Sequence, residues 1–264
     1  MKLSVTRLKL FEACRMAYRF KYMEGLEPVQ KADALQIGEN YHKLIERLYR
    51  EGNLYQADND NSKELAMACA YEKYIYPKFH VKQVEEWFEY PVDEKNMLVG
   101  RVDGIADDGH LVEHKTTSED DFEKYEFNLQ WDEQILAYML GYGVRKMWYT
   151  VIRKPTIRQK KTETDEEFFD RMFAWYDDDT ENKIRVIEIT RTDEEVEEFR
   201  KHLQALMGII ENAESEEGAI YRNTMHCNCW GRRCEYSNIC LNYDPQQEYI
   251  DFIKNKKEEE NYGV

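Results

Sequence analysis

VGRVDGIADDGHLVEHKTT, residues 99–117, holds two short β-like runs joined by Asp107-Asp108-Gly109. Asp-Gly between apolar runs marks a tight hairpin, because glycine takes the positive φ that such a turn needs. Glu113 and Lys115 lie two residues apart and so share a face of the second strand. Asp103 lies near the end of the first run, on the strand that pairs with it. One Asp, one Glu and one Lys therefore converge. Two carboxylates so close repel each other unless a cation separates them, and oxygen-loving Mg²⁺ is the usual choice. An ion with few protein ligands keeps waters, and one of these can become a nucleophile toward a phosphodiester. Lys115 is then placed to orient that water or to stabilise charge on a pentavalent phosphate. On the hairpin alone, a solvated cross-strand charge cluster is the better reading of the same residues. The rest of the chain shifts the balance.

The 264 residues are 42% hydrophobic and 13% aromatic, enough for a substantial core. No run of eighteen apolar residues occurs, so no membrane-spanning helix is expected. The N-terminal MKLSVTRLKLFEAC is too charged for a signal peptide, and a cytoplasmic location is expected. The net charge of −16 gives no global support to nucleic-acid binding. The charge is uneven, however. Residues 1–50 carry ten Lys or Arg against six Asp or Glu, and much of the acid sits in 163–181 and 258–260. Six cysteines are present, four of them between Cys227 and Cys240. In a cytosolic chain such clustering indicates a metal or cluster site rather than disulfides.

Hydrophobic periodicity predicts a basic helix over 4–23, capped by Ser4 or Thr6 and ended by Gly25 and Pro28. Its Arg7, Lys9, Arg15, Arg19 and Lys21 form either a solvated face or a track for phosphates. Helices are also expected over 38–50, with His42 beside the apolar stripe, over 64–80, which holds Cys69 as a core thiol, and from about Asp132. On the last of these Gln134 and Tyr138 are one turn apart. Residues 53–63 read as a loop, and 83–92, 146–153 and 183–190 as strands. Thr192-Asp-Glu-Glu195 is a capping box opening a helix to about Glu214. The polar stretch 154–182 reads as a surface insertion, 224–243 shows no period, and 254–264 reads as a disordered tail. The order of elements predicts one mixed α/β domain over 1–253 with a central sheet.

From Leu3 to Leu241, apart from 154–182, the chain resembles the RecB-type nucleases of the PD-(D/E)XK superfamily, in particular the phage and CRISPR-associated exonucleases that carry an iron–sulfur cluster. The resemblance rests on the N-terminal helix with Cys14, on GENYH with His42, on GRVDG with Asp103, on EHK with Glu113 and Lys115, and on QILAY with Gln134 and Tyr138. It implies a restriction-endonuclease-like α/β fold with a mixed central sheet flanked by helices. It further implies a metal-dependent DNA exonuclease acting on single strands or duplex ends, in phage or bacterial recombination, replication or repair. A recombination or replication protein is the expected kind of partner. The implied metal ligands for Mg²⁺ or Mn²⁺ are His42, Asp103, Glu113 and the backbone carbonyl of His114, whose ring receives no role. Lys115, Gln134 and Tyr138 complete the implied catalytic set. The cysteines Cys14, Cys227, Cys234 and Cys240 are the implied ligands of a [4Fe-4S] cluster, with Cys229 the alternative to Cys227. Four thiolates also suit zinc. Arg222, Arg232 and Arg233 lie close by in sequence, where they could touch a DNA strand. The competing reading is a non-catalytic nucleic-acid-binding or assembly module with a zinc or iron–sulfur staple.

Overall fold

A computed structural model describes residues 1–29, 33–54, 63–215, 218–229, 232–242, 244, 249 and 251–254. Most of the loop expected at 53–63, the tail residues 255–264, and Trp230 and Gly231 lie outside these. In chain order the elements begin with β1 (Lys2–Ser4), α1 (Val5–Ala13), α2 (Arg15–Tyr18), a π-helical turn (Arg19–Met23) and β2 (Leu26–Pro28). Next come α3 (Asp33–Glu51), α4 (Lys63–Tyr74), β3 (Val81–Pro91), β4 (Met97–Ala106) and β5 (Leu111–Thr117). Then follow α5 (Phe122–Leu129), α6 (Glu133–Tyr142), β6 (Lys146–Arg153), α7 (Asp165–Asp178), β7 (Ile184–Thr190) and α8 (Asp193–Glu214). The chain closes with β8 (Asn228–Cys229), β9 (Arg232–Arg233), α9 (Ser237–Cys240) and β10 (Phe252–Lys254). The result is a mixed α/β protein. Contacts along the chain gather into two compact units. One comprises 1–31, 91–99 and 200–264; the other comprises 32–90 and 100–199.

The larger unit is built on a sheet in which β3 pairs with β4, β4 with β5, β5 with β6 and β6 with β7. The β4–β5 and β6–β7 pairs are antiparallel and β5–β6 is parallel. The hairpin forms where Asp-Gly predicted it: Gly109 has φ 85° and its N–H donates to Ala106 O at 2.9 Å. The core gathers Tyr41, Ile45 and Leu48 of α3 with Met67, Ala68, Ala70 and Tyr71 of α4. The alanines of α4 carry little bulk and let the helices approach closely. The stretch 154–182, expected on the surface, contributes to this core. Thr164 and Glu167 close a capping box at the start of α7, and Met172 and Tyr176 are fully buried. Each such burial contributes about 1.5–3 kcal/mol, and the Tyr176 hydroxyl donates to Arg153 O at 2.6 Å. The acid-rich exposed face of α7 hid this apolar stripe from the sequence reading.

In the smaller unit β1 pairs in parallel with residues 97–99 of β4. The single helix expected over 4–23 is broken at Cys14, which is extended at φ −163° and ψ 111°. Ser4 caps α1 by accepting from Arg7 N. The basic side chains are largely engaged within the protein. Arg7 bonds Glu214 and Tyr18 at 2.9 Å, Arg19 bonds Glu24, and Arg15 lies over the rings of Phe11 and Tyr221. A second core packs Ala17, Phe20 and Leu26 against Tyr236 and Ile239. The segment 224–243, which showed no period, holds the two-residue strands β8 and β9 and the single turn α9.

Phe88 of β3 shows how tightly the larger unit is assembled. A Cβ at Gly141 of α6 would lie 2.2 Å from its ring, and one at Gly100 of β4 would lie 2.6 Å away. Gly141→Ala should therefore destabilise the protein by about 1–3 kcal/mol through overpacking, read as a lowered thermal midpoint, and Phe88→Leu in the same chain should recover part of the loss.

Candidate active site

The hairpin ladder that opens at the Gly109 turn stops early. Ile105 pairs with Leu111 and Gly104 with Val112. The next facing residues are Asp103 and Glu113, whose side chains emerge on one face, as directly opposed residues of an antiparallel pair do. Beyond them the Asp103 carboxylate takes the place of the partner backbone: its Oδ2 accepts from His114 N–H at 2.7 Å. Its Oδ1 lies 3.3 Å from His42 Nδ1 of α3. On the other side Lys115 Nζ donates to Glu113 Oε1 and, at 3.1 Å, to Gln134 Oε1. Gln134 Nε2 in turn donates to the Tyr138 hydroxyl at 2.7 Å. Asp132 caps α6 by accepting from Gln134 N at 3.0 Å, which fixes the turn that carries this pair. His42, Asp103, Glu113, Lys115, Gln134 and Tyr138, drawn from three separate stretches, are thus brought together.

The His114 ring points away from Glu113 and Lys115, as expected of neighbours on a strand. Its Nδ1 bonds Thr150 Oγ1 at 2.8 Å, and the ring stacks on Tyr49 and meets Tyr71 edge-on. Burial, only partly opposed by Asp103, pushes this imidazole down to about 4. It is a neutral core histidine near neutral pH. Thr150 was not singled out in the sequence, since a threonine in a strand carries no signal of its own.

Electrostatics separate the two carboxylates. Burial would raise Asp103, but His42, hydrogen-bonded to it, together with His114 and Lys115, holds it well below the usual carboxylate range. Burial and the Asp103 charge push Glu113 up, against the pull of Lys115. Burial would lower Lys115, yet Glu113 and Asp103 keep it a firm ammonium. Among the described residues, the buried Glu113 Oε2 has no hydrogen-bond partner. An unpaired buried carboxylate oxygen is costly, and a cation is the natural group to meet it. The 3.3 Å between His42 Nδ1 and Asp103 Oδ1 is close to the edge of about 3 Å spanned by two ligands of one small divalent ion. The spacing of His42 and Asp103 therefore suits two ligands of one divalent metal, with the unpartnered Glu113 Oε2 as a further oxygen donor on the same hairpin.

A further carboxylate, not anticipated from the sequence, belongs to this neighbourhood. Glu85 of β3 is mostly buried and pairs with Arg101 of β4 at 2.7 Å. Burial and the Asp103 charge raise its carboxyl, with Arg101 and His42 opposing.

Within the smaller unit, Cys14, Cys234 and Cys240 belong to one cluster of packed side chains. Asn223 donates its N–H to Cys14 Sγ at 3.4 Å, and its carbonyl accepts from Cys227 Sγ at 3.8 Å. Cys234 N donates to Cys227 O at 3.0 Å. Arg222 is exposed; its Nε lies 3.3 Å from Cys240 Sγ and also donates to Cys240 O. Arg233 is exposed, and the side chains of Cys229 and Arg232 lie outside the described residues.

No curated protein matches the chain in sequence. Among solved structures, a protein named as an exonuclease from Eubacterium rectale superposes with a TM-score of 0.55 at 15% identity, covering 94% of this chain and 90% of its own. An alkaline exonuclease from Laribacter hongkongensis gives 0.37 at 15% identity, covering 80% and 88%. A phage-related exonuclease from Haemophilus somnus gives 0.35 at 14%, covering 68% and 85%. The family model of the PD-(D/E)XK nuclease superfamily matches residues 2–241, a span that takes in the splayed hairpin with its Asp, Glu and Lys, and the chain belongs to that superfamily, with its restriction-endonuclease-like fold.

Proposed function

We propose that this protein is a metal-dependent DNA exonuclease that hydrolyses phosphodiester bonds of single strands or duplex ends. The observation that carries the reading is the contact of His42 with Asp103 and of Lys115 with Glu113, the two carboxylates of one hairpin, with Glu113 Oε2 buried and without a partner among the described residues. Asp103, Glu113 and His42 would hold the ion, with the His114 carbonyl as a further oxygen ligand, and Mg²⁺ or Mn²⁺ suits these donors. Such an ion lowers the pKa of a bound water and neutralises charge on the scissile phosphate.

The remaining work falls to the chain. The His114 N–H and the His42 ring hold the Asp103 carboxylate, so its oxygens stay ionised and aimed. Lys115 keeps its proton on Nζ. Paired with Glu113 and Gln134, it is a donor placed to stabilise developing negative charge. Gln134 positions that ammonium, and Tyr138 positions Gln134. Burial of Glu113 and Tyr138 excludes bulk water from one wall.

We further propose that Cys14, Cys227, Cys234 and Cys240 hold a [4Fe-4S] cluster, with zinc as the alternative metal. Support comes from the donor set itself and from Asn223, whose backbone touches both Cys14 and Cys227. The cluster would clasp the first helices to the cysteine-rich segment. Its role is structural.

Four outcomes are expected. Anaerobically purified protein should be brown, with stoichiometric iron and sulfide, and should degrade end-labelled DNA only with Mg²⁺ or Mn²⁺. Asp103→Ala should abolish cleavage while leaving the colour; unchanged cleavage by that variant in clean preparations would overturn the reading. Gln134→Ala should lower kcat by about 10–100-fold with little change in KM, the range expected for a lost hydrogen bond to a charged group of about 1.5–3 kcal/mol. Divalent-metal affinity, measured without DNA, should weaken as pH falls through a midpoint above the ordinary Glu value of about 4.3. A raised carboxyl binds its proton at higher pH, and the proton competes with the metal. A midpoint at or below that value would contradict the assignment of Glu113.

A further inference from the structure

The Asp103 side of β4 continues beyond the carboxylate. Asp103 and Arg101 are two residues apart on one strand, so their side chains share a face, about 6.7 Å apart along it. Arg101 is the single cation of β4, and half of its side chain is exposed. Its guanidinium lies over the ring of Trp87, 5.3 Å from the centroid, and its Nε meets Glu85 Oε2 at 2.7 Å. Trp87 of β3 is 45% exposed, a large ring open to solvent beside an arginine and a catalytic carboxylate.

Glu85 itself is held in an uncommon way. Its φ is 58°, the left-handed region, and among the described residues no other non-glycine has a positive φ. Glutamate has no local preference for that region, and such a conformation persists where the surroundings over-determine it. Here it turns the carboxylate onto Arg101 and into the field of Asp103 and His42. A carboxylate and a phosphate offer a guanidinium the same paired oxygens. An exposed aromatic face beside such a guanidinium is the combination that holds single-stranded nucleic acid, one group taking the backbone and the other a base.

We propose that Arg101 and Trp87 form a subsite for the nucleotide adjoining the scissile phosphate, Arg101 taking a backbone phosphate and Trp87 a base, and that Glu85 is the internal carboxylate that Arg101 leaves when the phosphate arrives. This rests on the nuclease reading above and adds the means by which the strand is gripped. It also accounts for an acidic protein binding DNA: the cation is kept paired until the substrate displaces its partner.

The test is fluorescence anisotropy of a labelled oligothymidylate with the full chain, with Ca²⁺ in place of Mg²⁺ to allow binding without cleavage, across a salt series. Arg101→Ala should weaken binding about tenfold and reduce the slope of log K against log salt by about 0.7, the value for one lost contact to a single strand. Trp87→Ala should weaken binding several-fold without changing the slope, and an abasic oligonucleotide should erase that difference. Glu85→Gln should act in the opposite direction, tightening binding several-fold, and the gain should vanish in the double variant with Arg101→Ala. If Glu85→Gln and Arg101→Ala both merely lower the thermal midpoint, with affinity and slope intact, the pair is structural and the subsite is overturned. Failure of the unaltered protein to bind or cleave any DNA would instead sink the nuclease reading and the subsite with it.

Discussion

The bond from His114 N–H to Asp103 Oδ2 is the contact on which the site depends. A backbone donor at this point would ordinarily find a carbonyl on the neighbouring strand, and leaving it unmatched in the interior would be costly. Supplying a side-chain acceptor instead lets β4 and β5 part after two residue pairs. The gap so opened is where Asp103, Glu113 and Lys115 face inward. Hydrogen-bond satisfaction and the opening of the candidate site are therefore met by one atom. His42 holds Asp103 ionised while burial and the Asp103 charge push Glu113 the other way, giving two carboxylates of different character on one hairpin.

Around that point the fold acts as a positioning frame. α3 delivers His42 from one side, and α6, fixed by its Asp132 cap and ended by Gly143 at φ 68°, delivers Gln134 and Tyr138. β6 flanks β5 in parallel, and its Thr150 pins the His114 ring. The smaller unit carries Cys14 and the cysteine-rich segment. Its own order centres on the extended residue Cys14 and on Asn223, which reaches two thiols and also donates its side-chain amide to Ala13 O.

What was legible in the sequence was what is local. The Asp-Gly turn, the strand-like run 146–153, and the Thr192–Glu195 box each carry their own signal over a few residues. All are present, the box with both of its reciprocal bonds. The strand period placed Asp103, Glu113 and Lys115 together, whereas His42, Gln134 and Tyr138 entered only through the order of motifs in the family resemblance. The rest is decided by partners distant in the chain. Nothing in the smooth helical pattern of 4–23 announces a break at Cys14, and nothing in the acid-rich 163–181 announces that Tyr176 is buried. Glu85 lies in an unremarkable run, VEEWFEY, and only the positive φ and the contact with Arg101 distinguish it from Glu86. The helix α5 was passed over although Asp121 accepts from Lys124 N at 3.0 Å, an N-cap the residue type did advertise.

Phe88 and the two glycines that receive it, Gly100 and Gly141, lie on three different elements but occupy a single volume. None can change size independently. In a lineage of such proteins the order of events is therefore constrained: a smaller residue must first appear at 88 before either glycine position can accept a side chain, and once one has done so the ring cannot return. Drift at these positions is ratcheted, so related chains should divide into two groups, one with an aromatic at 88 and bare neighbours, the other with the bulk redistributed.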